Sequence, residues 1–121
     1  MKILTIALVL LATTGCANRT ALYQWGGYED MLFQSYKNPD KSAEFLSGLE
    51  KHVMKMEQSQ QKIAPGLYAE LGTLYLQAGD SIKAVALYTK EKNAWPESAG
   101  LMNSLIENIG KRNNTKTEVK S

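Results

Sequence analysis

Two small residues, Gly72 and Ala84, constrain the fold of this chain more than any other feature. Apolar residues recur around both of them at steps of three and four, which is the spacing of one face of an α-helix. Gly79 and Asp80 separate the two periodic segments, and glycine readily ends a helix. Residues 65–98 are therefore predicted to form two helices that cross closely, because neither small residue holds the backbones apart.

The order of large and small residues in this segment resembles one tetratricopeptide repeat, a helix–turn–helix unit of about 34 residues. Glu91 stands where the repeat has alanine, so this edge is predicted to face solvent or a partner. The residues that match the repeat, and that the resemblance implies are packing residues, are Tyr68, Leu71, Gly72, Tyr75, Ala84, Tyr88 and Pro96.

Helical periodicity also dominates the rest of the chain after its first segment, and no alternating strand pattern of useful length occurs. Residues 28–37 form the first predicted helix, and Asn38-Pro39-Asp40 is predicted to begin the second. Leu46, Leu49, Val53 and Met56 then form one apolar stripe. The prediction is an all-α fold over residues 28–110, with about five helices arranged as antiparallel helical hairpins that include the tetratricopeptide-like repeat.

Residues 1–15 are predicted to be a secretory signal peptide. Lys2 supplies a positive charge, residues 3–12 are apolar except Thr5, and small residues lead to Cys16. This apolar stretch is too short to cross a bilayer core, which needs about 20 residues in a helix. Residues 13–16 resemble the bacterial lipobox, which implies cleavage after Gly15 and a Cys16 that carries lipid. The alternative is an ordinary signal peptide with an incidental cysteine.

Three further features concern the location of the chain. Cys16 is the only cysteine, which leaves no internal disulfide and no thiolate metal site. Ala17 follows it, where aspartate would resemble an inner-membrane retention signal, so that resemblance implies the outer membrane. Residues 16–27 are predicted to be a lipidated tether. Residues 111–121 carry four basic side chains against Glu118 and are predicted to be a disordered basic tail, or to contact anionic lipid or peptidoglycan.

No catalytic, cofactor-binding or metal-binding site is predicted. His52, the only histidine, is predicted to lie on the surface, and the acidic residues are predicted to be solvated. No cluster with metal-ligand spacing, no nucleophile beside a base and no glycine-rich phosphate loop is evident. The formal net charge of +2 gives no basic face large enough for nucleic acid.

Five segments of the chain carry a resemblance to known proteins, namely residues 23–29, 36–39, 65–72, 91–92 and 95–99. With them, the chain from about Tyr23 to Ile109 resembles a family of small proteobacterial envelope lipoproteins of unknown function. The resemblance implies an envelope lipoprotein that is often encoded beside a relative of the curli-export channel lipoprotein, and it implies no known activity.

Two surfaces could bind a partner. The first contains Tyr23, Trp25 and Tyr28, which either pack as a hydrophobic staple or anchor a partner protein. The second is the concave face of the repeat, which either binds an apolar peptide or helix or is covered by the preceding hairpin. By resemblance, that face contains Ala69, Thr73, Leu76 and Gln77.

The predicted function is that of a lipid-anchored, non-enzymatic scaffold or assembly factor on the periplasmic face of the outer membrane. Its partners would be the membrane, through the lipid on Cys16, and another envelope lipoprotein or a secretion component. The alternative function is a pilotin-like carrier that escorts a subunit to the outer membrane.

Overall fold

The computed structural model describes residues 22–118, and all of its regular elements are helices, which confirms the all-α prediction. No strand occurs in this part of the chain. The predicted signal peptide, Cys16, residues 16–21 of the tether and residues 119–121 of the tail lie outside the described residues. The α-helices within residues 22–118 are α1 (Tyr28–Lys37), α2 (Ser42–Gln58), α3 (Leu67–Gln77), α4 (Ser81–Ala94) and α5 (Ala99–Glu118).

The helices pack as consecutive antiparallel hairpins. The main contacts join α1 with α2, α2 with α3, α3 with α4, and α4 with α5. Short 3₁₀ turns, Pro39–Lys41 and Pro96–Ser98, precede α2 and α5. Because each helix packs chiefly on its neighbours in sequence, the fold has the contact pattern of a short solenoid.

The hydrophobic core consists of two clusters, with α3 between them. The buried members of the second cluster are Ala84 and Tyr88 of α4 with Met102 and Ile109 of α5. The first cluster joins one face of α2 to one face of α3 and to the connector between them. Its buried members are Phe45, Leu49, Val53, Met56, Ile63, Ala64, Leu67, Tyr68, Leu71 and Tyr75.

Helices α3 and α4 make their closest approach at Gly72. A Cβ atom on Gly72 would lie 2.9 Å from Cε1 of Tyr88 and 3.3 Å from the carbonyl oxygen of Ala84. Ala84 and Tyr88 are themselves buried. The two small residues therefore lie at the helix crossing, with the tyrosine ring filling the space beside it.

The helix ends follow the local sequence at α3 and α4 but not at α2. Gly66 and Gly79 flank α3 in the left-handed region, each at φ 90°, and Asp80 caps α4 by accepting a hydrogen bond from the Lys83 amide at 3.0 Å. Asn38 makes no side-chain cap. The prediction that α2 begins at Asn38-Pro39-Asp40 is wrong, because these residues lead into a 3₁₀ turn and the α-helix begins at Ser42.

Helix α5 continues through Glu118 and so includes residues 111–118 of the segment for which the sequence predicts a disordered basic tail. No glycine or proline interrupts these residues, and lysine and arginine are good helix formers. Within residues 22–118, no helix has the length and apolar character needed to cross a bilayer.

Candidate functional site

A groove opens between α2 and α4, and α3 forms its floor. Its volume is about 190 Å³. Val53 and Leu71 at its base belong to the first core cluster, so the groove extends from the core to the surface. The residues that line this α2–α4 groove are Glu50, Val53, Met54, Glu57, Leu71, Tyr75, Lys83, Ala86, Leu87 and Lys90.

The two walls of the groove repeat one helical spacing. The lining residues of α2 occupy positions 50, 53, 54 and 57, and those of α4 occupy positions 83, 86, 87 and 90. Such steps place side chains on one face of a helix. Each wall therefore presents two apolar residues between two charged ones, and the charges are acidic on α2 and basic on α4.

One end of the groove is formed by Glu50, Tyr75 and Lys83, one residue from each of the three helices. The Tyr75 hydroxyl donates a hydrogen bond to Oε1 of Glu50, and Nζ of Lys83 donates to the same hydroxyl at 3.3 Å. The Lys83 ammonium also lies 4.4 Å from the centroid of the Tyr75 ring. The tyrosine thus links the acidic wall to the basic wall.

Glu57, Tyr68 and Lys90 form a second triad of the same composition. The Tyr68 hydroxyl donates to Oε1 of Glu57 at 2.9 Å, and Nζ of Lys90 donates to that oxygen at 2.6 Å. The Lys90 ammonium lies 5.5 Å from the Tyr68 ring centroid. Both triads join a carboxylate on α2, a phenol on α3 and an ammonium on α4. The lysine donates to the phenol in the first triad and to the carboxylate in the second.

The two triads are related by two turns of helix. On each helix the equivalent residues are seven positions apart, which corresponds to a rise of about 10 Å. The order of the pair is reversed on α3 because α3 is antiparallel to both neighbours. The apolar part of the groove lies between the triads.

Burial and the contacts within the triads shift the pKa values of Tyr68, Tyr75 and Glu57. Burial raises the pKa of the Tyr68 and Tyr75 hydroxyls, and their hydrogen bonds to Glu57 and Glu50 raise it further. Burial also acts to raise the pKa of Glu57, but hydrogen bonds from Lys90 and Tyr68 outweigh it and lower that pKa. Both phenols therefore remain donors at neutral pH, and Glu57 remains a charged acceptor.

Glu57→Gln is expected to reduce stability at pH 7 and not in acid. The folded-state pKa of Glu57 is lowered, so its contribution is present above the unfolded-state pKa of about 4.3 and is lost as pH falls through the folded value. The loss at pH 7 is expected to be about 0.5 kcal/mol, since the pair is partly exposed. Urea unfolding at pH 7 and in acid measures it.

Glu107→Gln on α5 is the control for this measurement, because Glu107 is exposed. It is expected to change the free energy of unfolding little at either pH. A deficit of Glu57→Gln that stayed constant from neutral pH into acid would contradict the role assigned to the carboxylate.

Tyr23, Trp25 and Tyr28, which the sequence predicts to form one surface, do not pack as a single cluster. The Tyr23 ring lies 5.8 Å from that of Trp95, whereas the Tyr28 ring lies 5.9 Å from that of Phe45. Tyr23 and Tyr28 thus pack on the first core cluster. Trp25 lies 6.0 Å from Tyr28 between ring centroids and remains 42% exposed.

Part of the predicted tether, namely Tyr23, Gln24 and Gly26, lies against α2 and the end of α4. His52 is half-buried there, although the sequence predicts a surface position, and its Nε2 donates to the carbonyl oxygen of Gln24 at 2.9 Å. Gly26 passes so close that an added Cβ would collide with the imidazole ring of His52. His52 therefore fixes this segment on the helices.

The residues predicted for the concave face are largely packed. Ala69 and Leu76 pack against the second core cluster, whose buried residues come from α4 and α5 and not from the preceding hairpin. The Thr73 hydroxyl lies 3.0 Å from the Tyr88 hydroxyl and donates to the Ala69 carbonyl oxygen at 3.0 Å. Gln77 is exposed. Leu76 and Gln77 each line a separate surface pocket, and the α2–α4 groove contains none of these four residues.

Glu91 faces neither solvent nor a partner, so the prediction from the repeat pattern is wrong at this position. Its side chain is only 2% exposed, and Oε1 accepts a hydrogen bond from the amide of Gly66 at 2.8 Å. Gly66 immediately precedes α3. The carboxylate of α4 therefore caps the N-terminus of α3, where the helix dipole favours negative charge.

Glu50 and Glu57 are among the acidic residues that the sequence predicts to be solvated, and no role is predicted for Lys83 or Lys90. Their shared spacing of seven residues, repeated by Tyr68 and Tyr75, was the available signal. In the described part of the chain, no group of three or more His, Cys, Asp or Glu side chains could hold a metal ion.

A family model described as "Domain of unknown function (DUF4810)" matches residues 22–105. The matched range includes α1 to α4, the start of α5 and every residue that lines the α2–α4 groove. No curated protein and no solved structure matches the chain.

Proposed function

The chain belongs to the DUF4810 family, and we propose that it is an outer-membrane lipoprotein that acts as a non-enzymatic, protein-binding scaffold in an envelope or secretion complex. The α3–α4 pair serves in this proposal as a tetratricopeptide-like unit. The observation that carries the proposal is the α2–α4 groove, an apolar slot between two Glu–Tyr–Lys triads.

The N-terminal sequence supports the location. A charged start, a short apolar segment and small residues before Cys16 are typical of an exported lipoprotein. Lipid chains on Cys16 would hold the folded domain at the periplasmic face of the membrane, since each buried methylene contributes about 0.8 kcal/mol to anchoring.

The groove suits an apolar side chain on a helix or extended segment of a partner protein. Val53, Leu71 and Leu87 offer an apolar lining, and the half-exposed Met54 can adapt to the shape of the guest. The acidic wall on α2 and the basic wall on α4 would fix the orientation of the partner, because charge complementarity sets register more than affinity.

The state of the triads supports binding rather than catalysis. A raised pKa makes the phenolate of Tyr68 or Tyr75 scarce at neutral pH, so neither is suited to act as a base. The Glu57 carboxylate already accepts hydrogen bonds from Tyr68 and Lys90. The polar groups therefore define the ends of a binding slot.

Photo-crosslinking in cells tests the proposal. A photoreactive amino acid replaces Met54, which is 49% exposed in the groove, and in a matched chain it replaces Ile82, which is 83% exposed outside the groove. One dominant envelope protein is expected to crosslink at position 54 and not at position 82. Cys16→Ser, which removes the proposed anchor, is expected to reduce the adduct.

Ala86→Glu is expected to weaken this complex by about tenfold or more, because it places a charge in the slot, and tenfold corresponds to about 1.4 kcal/mol. Ala86 is exposed, so the variant should keep its melting temperature. Ala94→Glu, the same change at an exposed site of α4 outside the groove, is the control.

An adduct that persisted unchanged in Ala86→Glu would contradict the groove as the binding site. A transient adduct, together with a partner that is mislocalised when the chain is deleted, would favour the pilotin-like carrier over the stable scaffold.

A further inference from the structure

Large apolar side chains that face solvent are concentrated at the N-terminal end of the described chain. Seven such residues occur within residues 22–118, and Met54, Ile82 and Leu101 are scattered over α2, α4 and α5. The other four all lie within residues 22–36 and are together called the N-terminal patch, which consists of Leu22, Trp25, Phe33 and Tyr36.

We propose that the N-terminal patch lies on the surface of the lipid bilayer, at the level of the headgroups. This inference rests on the lipid anchor in the proposed function and adds an orientation to it, with the patch on the membrane.

Packing of α1 directs part of the patch away from the core. Tyr28, Met31 and Leu32 pack against the first core cluster, whereas Phe33 is 54% exposed and Tyr36 is 79% exposed. Phe33 and Tyr36 are three residues apart and so are neighbours on the surface of the helix. The outer side of α1 is therefore a surface that no part of the described chain covers.

Trp25 is held in place although it is exposed. Its ring lies 6.0 Å from that of Tyr28, whose ring in turn lies 5.9 Å from that of the buried Phe45. The neighbouring Gln24 carbonyl is bound by His52. The indole is thus presented on a fixed segment and does not need to be ordered when it meets a surface.

Chain length favours the bilayer as the occupant. Only six residues lead from Cys16 to Leu22, and at 3.3–3.6 Å per residue they span at most about 20 Å. A lipid on Cys16 would keep the start of the patch within that distance of the membrane. Tryptophan and tyrosine are the residues enriched at the boundary between lipid and water.

The charged residues beside the N-terminal patch limit how deeply the patch can enter the bilayer. Nζ of Lys37 lies 4.7 Å from the Phe33 ring centroid, and such a side chain can extend its ammonium to lipid phosphates. Glu29 and Asp30 in the first turn of α1 are exposed as well, and burial of their charges in hydrocarbon would be costly. At the level of the headgroups, the Lys37 ammonium and the Glu29 and Asp30 carboxylates all stay in a polar environment. Deeper insertion would move these charges into hydrocarbon.

Quenching of tryptophan by brominated lipid tests the orientation. The full chain, purified with its lipid, is reconstituted into vesicles of phosphatidylethanolamine and phosphatidylglycerol with or without bromine near the headgroup end of the acyl chains. The chain has two tryptophans, so Trp95→Phe leaves Trp25 as the only emitter. The difference between wild type and Trp25→Phe isolates the same signal if Trp95→Phe fails to fold.

Trp25 is expected to lose most of its emission in brominated vesicles. An Ile82→Trp chain that lacks both native tryptophans is the control, because Ile82 is 83% exposed, more than the 42% of Trp25, but lies on α4. Its emission is expected to be unchanged by bromine.

Flotation of the vesicles separates the two ways in which the inference can fail. If the chain floats and Trp25 is not quenched, the anchor stands and the patch faces away from the membrane, which overturns the inference alone. If the chain does not float, the lipid anchor itself fails, and the inference fails with it. A blue shift of Trp25 that depends on protein concentration without vesicles would assign the patch to a second copy and overturn the inference as well.

Discussion

Glu91→Ala is expected to lower the free energy of unfolding by about 2–3 kcal/mol, because it leaves the Gly66 amide without its acceptor and opens a space in a buried region. The carboxylate is 2% exposed and accepts from that amide at 2.8 Å. Relief from burying a charge offsets part of the loss. The tetratricopeptide pattern, which has alanine at this position, predicts the opposite result.

Urea unfolding followed by circular dichroism measures the change, and Glu91→Gln is the matched control. Glutamine keeps an oxygen that can accept from Gly66 but removes the charge that faces the N-terminus of α3. It is expected to cost less than about 1 kcal/mol, the size of a charge–dipole interaction. A Glu91→Ala protein as stable as wild type would show that the capping bond contributes nothing.

Gly72→Leu is expected to lower the free energy of unfolding by about 1–3 kcal/mol through overpacking of the α3–α4 crossing. Even the first atom of the new side chain would lie 2.9 Å from the Tyr88 ring and 3.3 Å from the backbone of α4. Tyr88 is 1% exposed, and its hydroxyl lies 3.0 Å from that of Thr73, so the ring has little room to retreat.

The same substitution at Gly110 is the control. A Cβ there would meet nothing within 4 Å, and the residue lies inside α5. Gly110→Leu is expected to leave stability unchanged or to raise it by up to about 1 kcal/mol, because leucine forms helix better than glycine. Equal losses at both positions would show that the crossing is not the cause. Thermal melting of the two variants beside wild type decides the matter.

The α3–α4 hairpin could be predicted because its determinants are local. Gly72 and Ala84 mark the crossing, and Gly79 and Asp80 mark the turn, all within a short stretch of sequence. The apolar residues of α1, α2 and α5 also recur at helical spacing, so these helices could be predicted in the same way. The start of α2 was not, because Asn38 and Pro39 suit the first turn of an α-helix and of a 3₁₀ turn alike.

The groove and the buried carboxylate depend on contacts between distant residues. Glu91 is 25 residues from Gly66, so nothing near it in sequence predicts an amide in reach. A triad such as Glu50, Tyr75 and Lys83 requires the register of three helices at once. The spacing of seven residues within each helix was visible in the sequence. Only the packing of the helices shows that the glutamates, tyrosines and lysines contact one another.

Tyr23 and Gln24, which are held in place just before α1, determine where a mechanical force applied to the N-terminus would first act on the fold. Tyr23 rests on Trp95 and the Gln24 carbonyl is bound by His52, and both contacts precede α1 in the chain. A force applied to the N-terminus would therefore act first on α2 and the end of α4. Helix α1 follows these contacts in the chain, so it would be loaded only after they break. Single-molecule stretching should show that His52→Ala lowers the first rupture force and lets α1 peel away earlier.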